Sequence, residues 1–164
     1  MSWSNRRSLL ALLAAAPLAA CGFTPAYGPN GPAKALRGRI SYQEPTDPNA
    51  FELVKQLEVQ FGRPEAPTHA LRYGLTVSAQ AGGYTTANAI TRYVLNGSVV
   101  WSLDNIASTQ RVAGGTATGF TSWSAAGTTI STQVASDDAV RRLMVILADQ
   151  MATQILAASV DMTQ

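Results

Sequence analysis

Two runs of alternating residues limit the folds open to this chain more than any other feature. Leu71, Tyr73, Leu75 and Val77 alternate with Arg72, Gly74, Thr76 and Ser78, the period of a strand with one buried and one open face. Further on, Thr91, Tyr93, Leu95, Val99, Trp101 and Leu103 share one face of a second strand, with Gly97 in the gap. Gln80–Ala89, with Gly82-Gly83 at its tip, is expected to turn between them. Asp104-Asn105 suits a tight hairpin turn. A third strand should then run from Ile106 to Trp123, its Gly114-Gly115 pair marking a bulge or a close backbone approach. Such a meander is antiparallel with one face covered.

Helices must supply the cover. Asp47 can cap a first helix, Pro48 fits its first turn, and Gly62 followed by Pro64 stops it. Ala50, Leu53, Val54, Leu57 and Phe61 form one apolar stripe on that segment. Ser124–Ala135 carries no charge and is rich in Ser, Thr, Gly and Ala, which reads as a mobile surface loop. Ser136 is then expected to cap the last helix, with Asp137 and Asp138 in the first turn, where the helix dipole favours negative charge. Val140, Leu143, Met144, Leu147, Met151, Ile155 and Ala158 make its stripe, and its methionines belong to the packing. Arg37–Tyr42 adds a short strand before the first helix. The order β-α-β-β-β-α predicts an α+β two-layer sandwich, with two helices packed on one face of a four-stranded, mostly antiparallel sheet. No internal repeat is present.

That single domain is placed at residues 36–160, and what precedes it is of another kind. Arg6 and Arg7 lead into an apolar run from Leu9 that closes on Leu18-Ala19-Ala20-Cys21. A basic start, a short apolar run and small residues before a cleavage point make an export signal, too short to span a bilayer. The Leu–small–small–Cys ending is a lipobox, in which the cysteine thiol takes a diacylglyceryl group before residues 1–20 are removed. The mature chain should therefore begin at acylated Cys21 and run through a Pro/Gly-rich tether over 21–35, in which Phe23 and Tyr27 are available to pack. No cofactor is expected beyond the covalent diacylglycerol and N-acyl chain on Cys21. Two or more acyl chains anchor stably where one holds only marginally. Gly22 follows the cysteine, with no Asp there to retain the protein at the inner membrane, which favours the outer membrane. Paired arginines ahead of the apolar run are compatible with both general and twin-arginine export.

Charge narrows the function further. Of 12 basic residues, Arg6 and Arg7 lie in the leader, so ten face the ten acidic residues of the mature chain. No electrostatic basis for nucleic-acid binding survives. Cys21 is the only cysteine, so once it is acylated no disulfide can form.

Catalytic patterns are not found. His69, the only histidine, sits in a Pro-rich connector with no cysteine or carboxylate at metal-ligand spacing. Gly114–Gly119 (GGTATG) lacks the lysine and the spacing of a phosphate loop. Asp137 and Asp138 are adjacent on a helix and point apart. The chain is expected not to be an enzyme. Arg72 and Arg92 lie opposite the aromatic side of their strands, on the open side of the sheet. A guanidinium there can hold an anionic group such as a phosphate bidentately.

Taken together, these pieces resemble a known family. Cys21-Gly22-Phe23-Thr24-Pro25-Ala26-Tyr27-Gly28 resembles the CGFxPxYG opening of LPS-assembly lipoproteins of the LptE type, especially their alphaproteobacterial members. Arg92-Tyr93-Val94-Leu95-Asn96-Gly97, with Trp101 and Leu103, resembles the family's central strand. Asp138-Ala139-Val140-Arg141-Arg142 resembles the start of its C-terminal helix. The resemblance implies two helices on a four-stranded sheet. It also implies a non-enzymatic outer-membrane lipoprotein that plugs the lumen of the LptD β-barrel, helps that barrel assemble and contacts LPS. Here neither Ala81–Ala89 nor Thr128–Ser136 contains Lys or Arg, where relatives carry basic residues suggested for LPS contact. Arg92 is the nearest basic substitute, and Arg72 is the other candidate for LPS contact. The competing expectation is a lipoprotein adaptor of a periplasmic ABC-type lipid-transport system.

Overall fold

A computed structural model describes residue 28 and residues 31–161. Cys21, the leader and most of the tether lie outside the described residues. The elements in chain order are α1 (Pro32–Leu36), β1 (Ile40–Tyr42), α2 (Pro48–Phe61), β2 (His69–Tyr84), β3 (Ile90–Asn105), β4 (Arg111–Ser124) and α3 (Thr129–Asp161). The strands form one sheet in the order β1-β2-β3-β4. β1 pairs parallel to β2, and the two remaining pairs are antiparallel. Both long helices pack on one face, giving the expected α+β sandwich. The third helix, α1, is short; its Ala33 and Leu36 sit in the core, at the start of the domain.

α2 forms where its signals place it. Asp47 Oδ1 accepts from the amides of Asn49 and Ala50, both at 2.9 Å, so two otherwise unpaired donors of the first turn are satisfied. Its buried residues are Ala50, Leu53, Val54, Leu57 and Phe61. Gly62 ends it at φ 79, a left-handed conformation that suits glycine.

α3 begins earlier than expected. Residues 129–135 are helical, not a loop, and Ser136 is interior to the helix, not its cap. Thr128 is the residue that caps, its Oγ1 accepting from the Ser131 amide at 3.3 Å. Extending an existing helix costs little once it is nucleated, so seven residues, all but Gln133 small or β-branched, continue it without a buried face of their own. Ile130 and Val134 are accordingly exposed. Asp137 and Asp138 are mid-helix and bond side chains one turn away: Gln133 Nε2 donates to Asp137 at 2.8 Å, and Arg142 Nε to Asp138 at 2.8 Å.

The hairpins also differ from expectation. β2 continues through most of the anticipated loop, and the turn is only Thr85–Ala89, closed by a bond from Thr85 N to Ala89 O at 2.8 Å. Gly82-Gly83 lie at a register shift within the ladder and not at its tip, as glycines in bulges do. Asp104-Asn105 end β3 and do not form a two-residue turn. Asn105 Oδ1 accepts from the amides of Ala107 and Ser108, an Asx turn that carries the chain through residues 106–110. β4 therefore starts at Arg111 and not at Ile106.

Gly114 and Gly115 pair in register, without a bulge, and what approaches Gly115 closely is side chains and not a backbone. A Cβ there would come within 2.7 Å of Gln154 Oε1 and 3.2 Å of the Trp101 ring. That space holds a small network: Trp101 Nε1 donates to Gln154 Oε1 at 2.9 Å, and Gln154 Nε2 donates to Thr116 O at 3.0 Å. Gln154→Ala should leave the buried indole N–H unpaired and lower stability by about 1–3 kcal/mol. A chemical-denaturation midpoint unchanged in that variant would show that the network contributes nothing.

Candidate interaction surface

The face of the sheet away from the helices carries Arg72, Gly74, Thr76, Ser78 and Gln80 from β2, with Arg92, Asn96, Ser98 and Val100 from β3. From β4 it carries Thr116, Thr118, Phe120 and Ser122. Apart from its two ends this face is uncharged, and Phe120 and Val100 project from it at 71% and 61% exposure. No described helix is long and apolar enough to cross a membrane.

At one end, Arg72 and Arg111 share one carboxylate. Arg72 Nε lies 3.6 Å from Asp104 Oδ2, and Arg111 Nε lies 3.5 Å from Asp104 Oδ1. The three side chains, with Ala70, Asn105 and Ile106, line a cavity of about 550 Å³. Two guanidinium groups against one carboxylate leave one unit of positive charge, with most of each arginine in solvent. Arg111 was not singled out from the sequence. Its signal was the hairpin register, which sets Arg111 opposite Asp104, but that register is lost if the turn is placed at Asp104-Asn105.

The other end is aromatic. Tyr93 and Trp123 face each other across β3 and β4 with ring centroids 5.0 Å apart and planes at 18°. They stand on the helix side, under the overhanging first turns of α3, and line a cavity of about 390 Å³ with Thr129, Thr132, Gln133 and Ser136. Arg92 is exposed on the open side at this same end. Arg72 and Arg92 are thus on one face, as expected, but not together: Arg72 pairs with Ser102, ten residues along β3 from Arg92, which separates them by roughly 33 Å. They cannot clasp one anionic group.

His69 lies at the start of β2 with Nδ1 2.9 Å from Thr68 Oγ1, and partial burial holds its imidazole below the usual histidine range. Burial pushes the Tyr42 hydroxyl well above the ordinary tyrosine range, helped by nearby Glu58. That hydroxyl donates to Gly62 O at 3.0 Å and locks the end of α2 onto β1. Among the described residues no cluster of His, Cys, Asp and Glu could hold a metal ion.

What fold and surface define is an α+β sandwich with its helices on one side and a broad, mostly uncharged sheet face on the other. No protein-family model matches the chain, and no curated protein matches it. Solved structures do. A lipoprotein from Caulobacter crescentus is similar at a TM-score of 0.61 and 16% identity, covering 78% of this chain and 96% of that one. The rare lipoprotein B of Shewanella oneidensis is similar at 0.57 and 9% identity, covering 77% and 98%. A minor lipoprotein from Acinetobacter baumannii gives 0.52 and 18%, covering 73% and 89%. At these identities the likeness is one of fold.

Proposed function

We propose that this protein is a lipid-anchored outer-membrane subunit of the LPS translocon. In this reading it sits in the lumen of an LptD-type β-barrel, assists that barrel's assembly and contacts LPS during its passage. One coincidence carries the reading: a chain whose sequence opens its mature part with a lipobox cysteine and the CGFTPAYG octet also has the fold of several lipoproteins, covering 98% of one of them.

The physics is compatible with that role. Ten basic and ten acidic residues after the leader let the domain enter a polar lumen without a large Coulomb cost. The uncharged open face can lie against barrel strands. Arg92 is the better of the two proposed LPS contacts, because Asp104 already neutralises part of the charge at Arg72.

Depletion of the protein tests this. The expected result is LPS retained in the inner membrane and lost from the surface; normal surface LPS would contradict it. Recovery of an inner-membrane ATPase complex from detergent extracts would favour the lipid-transport adaptor instead.

A further inference from the structure

The two outer edges of the sheet are finished differently. Along β4 the outward-pointing backbone groups meet side chains of α3. Thr118 N donates to Gln150 Oε1 at 3.1 Å. Gln154 Nε2 donates to Thr116 O at 3.0 Å, and Arg142 Nη2 to Ser122 O at 3.3 Å. An exposed edge is a template for pairing with another chain, and here a row of helix side chains occupies it.

Among the described residues the β2 edge is closed only at its start. On this strand the odd-numbered residues point outward. His69 N donates to Arg39 O at 3.1 Å, Leu71 O accepts from Gln43 N at 2.9 Å, and Tyr73 N donates to Gln43 Oε1 at 3.3 Å. β1 pairs with β2 no further than Leu71. Among the described residues nothing meets the outward N–H and C=O groups of Leu75, Val77 and Ala79. From Leu75 to Ala81 the strand has no proline and no charge, and the register shifts only beyond Ala81. Among the described residues none of the usual devices that blunt an edge is present from Leu75 to Ala81.

We propose that the β2 edge from Leu75 to Ala79 docks an extended strand of another polypeptide, uncharged and alternating apolar with polar side chains. The backbone fixes the extended partner, since only another strand offers donors and acceptors at the ladder spacing. The side chains fix its pattern: Leu75, Val77 and Ala79 lie on the helix side, Thr76, Ser78 and Gln80 on the open side, and an added strand must match both. Alternation of this kind is that of a membrane-barrel strand. The occupant is therefore an exposed strand of a β-barrel before closure, an assignment that rests on the barrel-assembly reading above.

The test is amide hydrogen exchange on the full-length protein, with and without a capped ten-residue peptide of alternating Val and Thr as probe. Exchange at Leu75, Val77 and Ala79 should slow by about tenfold or more when the probe binds, with no change along β4. Ala79→Pro removes an outward N–H without touching the β2–β3 ladder, and Ser78→Lys places a charge beside the edge; each should abolish the protection. Thr118→Lys, an equal charge on the same face at the closed edge, should bind like the parent. If Ala79→Pro unfolds, Ser78→Lys decides. No protection on β2 overturns the proposal, as does concentration-dependent protection of these amides in the free protein, which would assign the edge to a second copy. Protection by the peptide in a protein that recovers no barrel in vivo would overturn the barrel as occupant while leaving the edge a docking strand.

Discussion

Leu147→Ala should destabilise the domain by about 3 kcal/mol, and a second substitution, Gly97→Ala, itself damaging, should cost less in that background than in the parent. Leu147 is fully buried in α3. It lies over Gly97 of the central strand, where an added Cβ would stand 2.9 Å from Leu143 Cδ2 and 3.0 Å from Leu147 Cδ1. The missing side chain at 97 is what lets the long helix lie this close to the sheet. Gly97→Ala alone therefore overpacks the contact, at a cost of about 1–3 kcal/mol. With Leu147 shortened, the new methyl enters the space the leucine left. The double variant should be more stable than additivity predicts by about 1 kcal/mol. Denaturant midpoints of the four proteins, at constant slope, read the cycle. Strict additivity would mean that Leu147 and residue 97 do not share this contact.

The second large effect concerns the anchor. Cys21→Ser, made behind a leader that is removed without prior acylation, should move the protein from the membrane fraction to the soluble periplasmic fraction, while the unfolding midpoint of the domain stays within error of the parent. A diacylglyceryl group and an N-acyl chain together hold a protein to a bilayer stably, whereas one chain holds only marginally, with a partition constant of about 10⁴ M⁻¹. No described helix can replace them. The stability half of the prediction follows from position: Cys21 precedes every described element, and the core runs from Ala33 to Leu156. Fractionation followed by mass spectrometry of the N-terminal peptide checks both halves. An unmodified Cys21 in the parent, or a Cys21→Ser protein still quantitatively in the membrane, would refute the lipid anchor.

Much of this fold was legible because single faces had to be buried. The period-two runs at Leu71–Val77 and Tyr93–Leu103 and the stripes at Ala50–Phe61 and Val140–Ile155 each imply a partner surface, and together they imply one two-layer core. The errors fall where burial exerts no control. Residues 129–135 of α3 overhang the sheet with Ile130 and Val134 in solvent, so no apolar stripe announced the helix, and its serines and threonines look like a loop. Gly82-Gly83 sit in a bulge that only the β2–β3 ladder fixes. The Asx turn at Asn105 depends on bonds three residues ahead, which the Asp-Asn pair alone does not specify. The surface was less legible for the same reason. The face of Arg72 and Arg92 followed from alternation, but the Asp104 that ties Arg72 to Arg111 depended on the hairpin register. The open edge of β2 depended on where β1 stops.

The proposed role makes this domain the lipid-held companion of a barrel in the outer membrane. Affinity purification of the full-length, acylated protein from detergent-solubilised outer membranes, followed by native mass measurement, tests it most directly. A one-to-one complex with an LptD-type β-barrel is the expected result. Recovery of the lipoprotein alone, or with an inner-membrane transporter in place of the barrel, would contradict it.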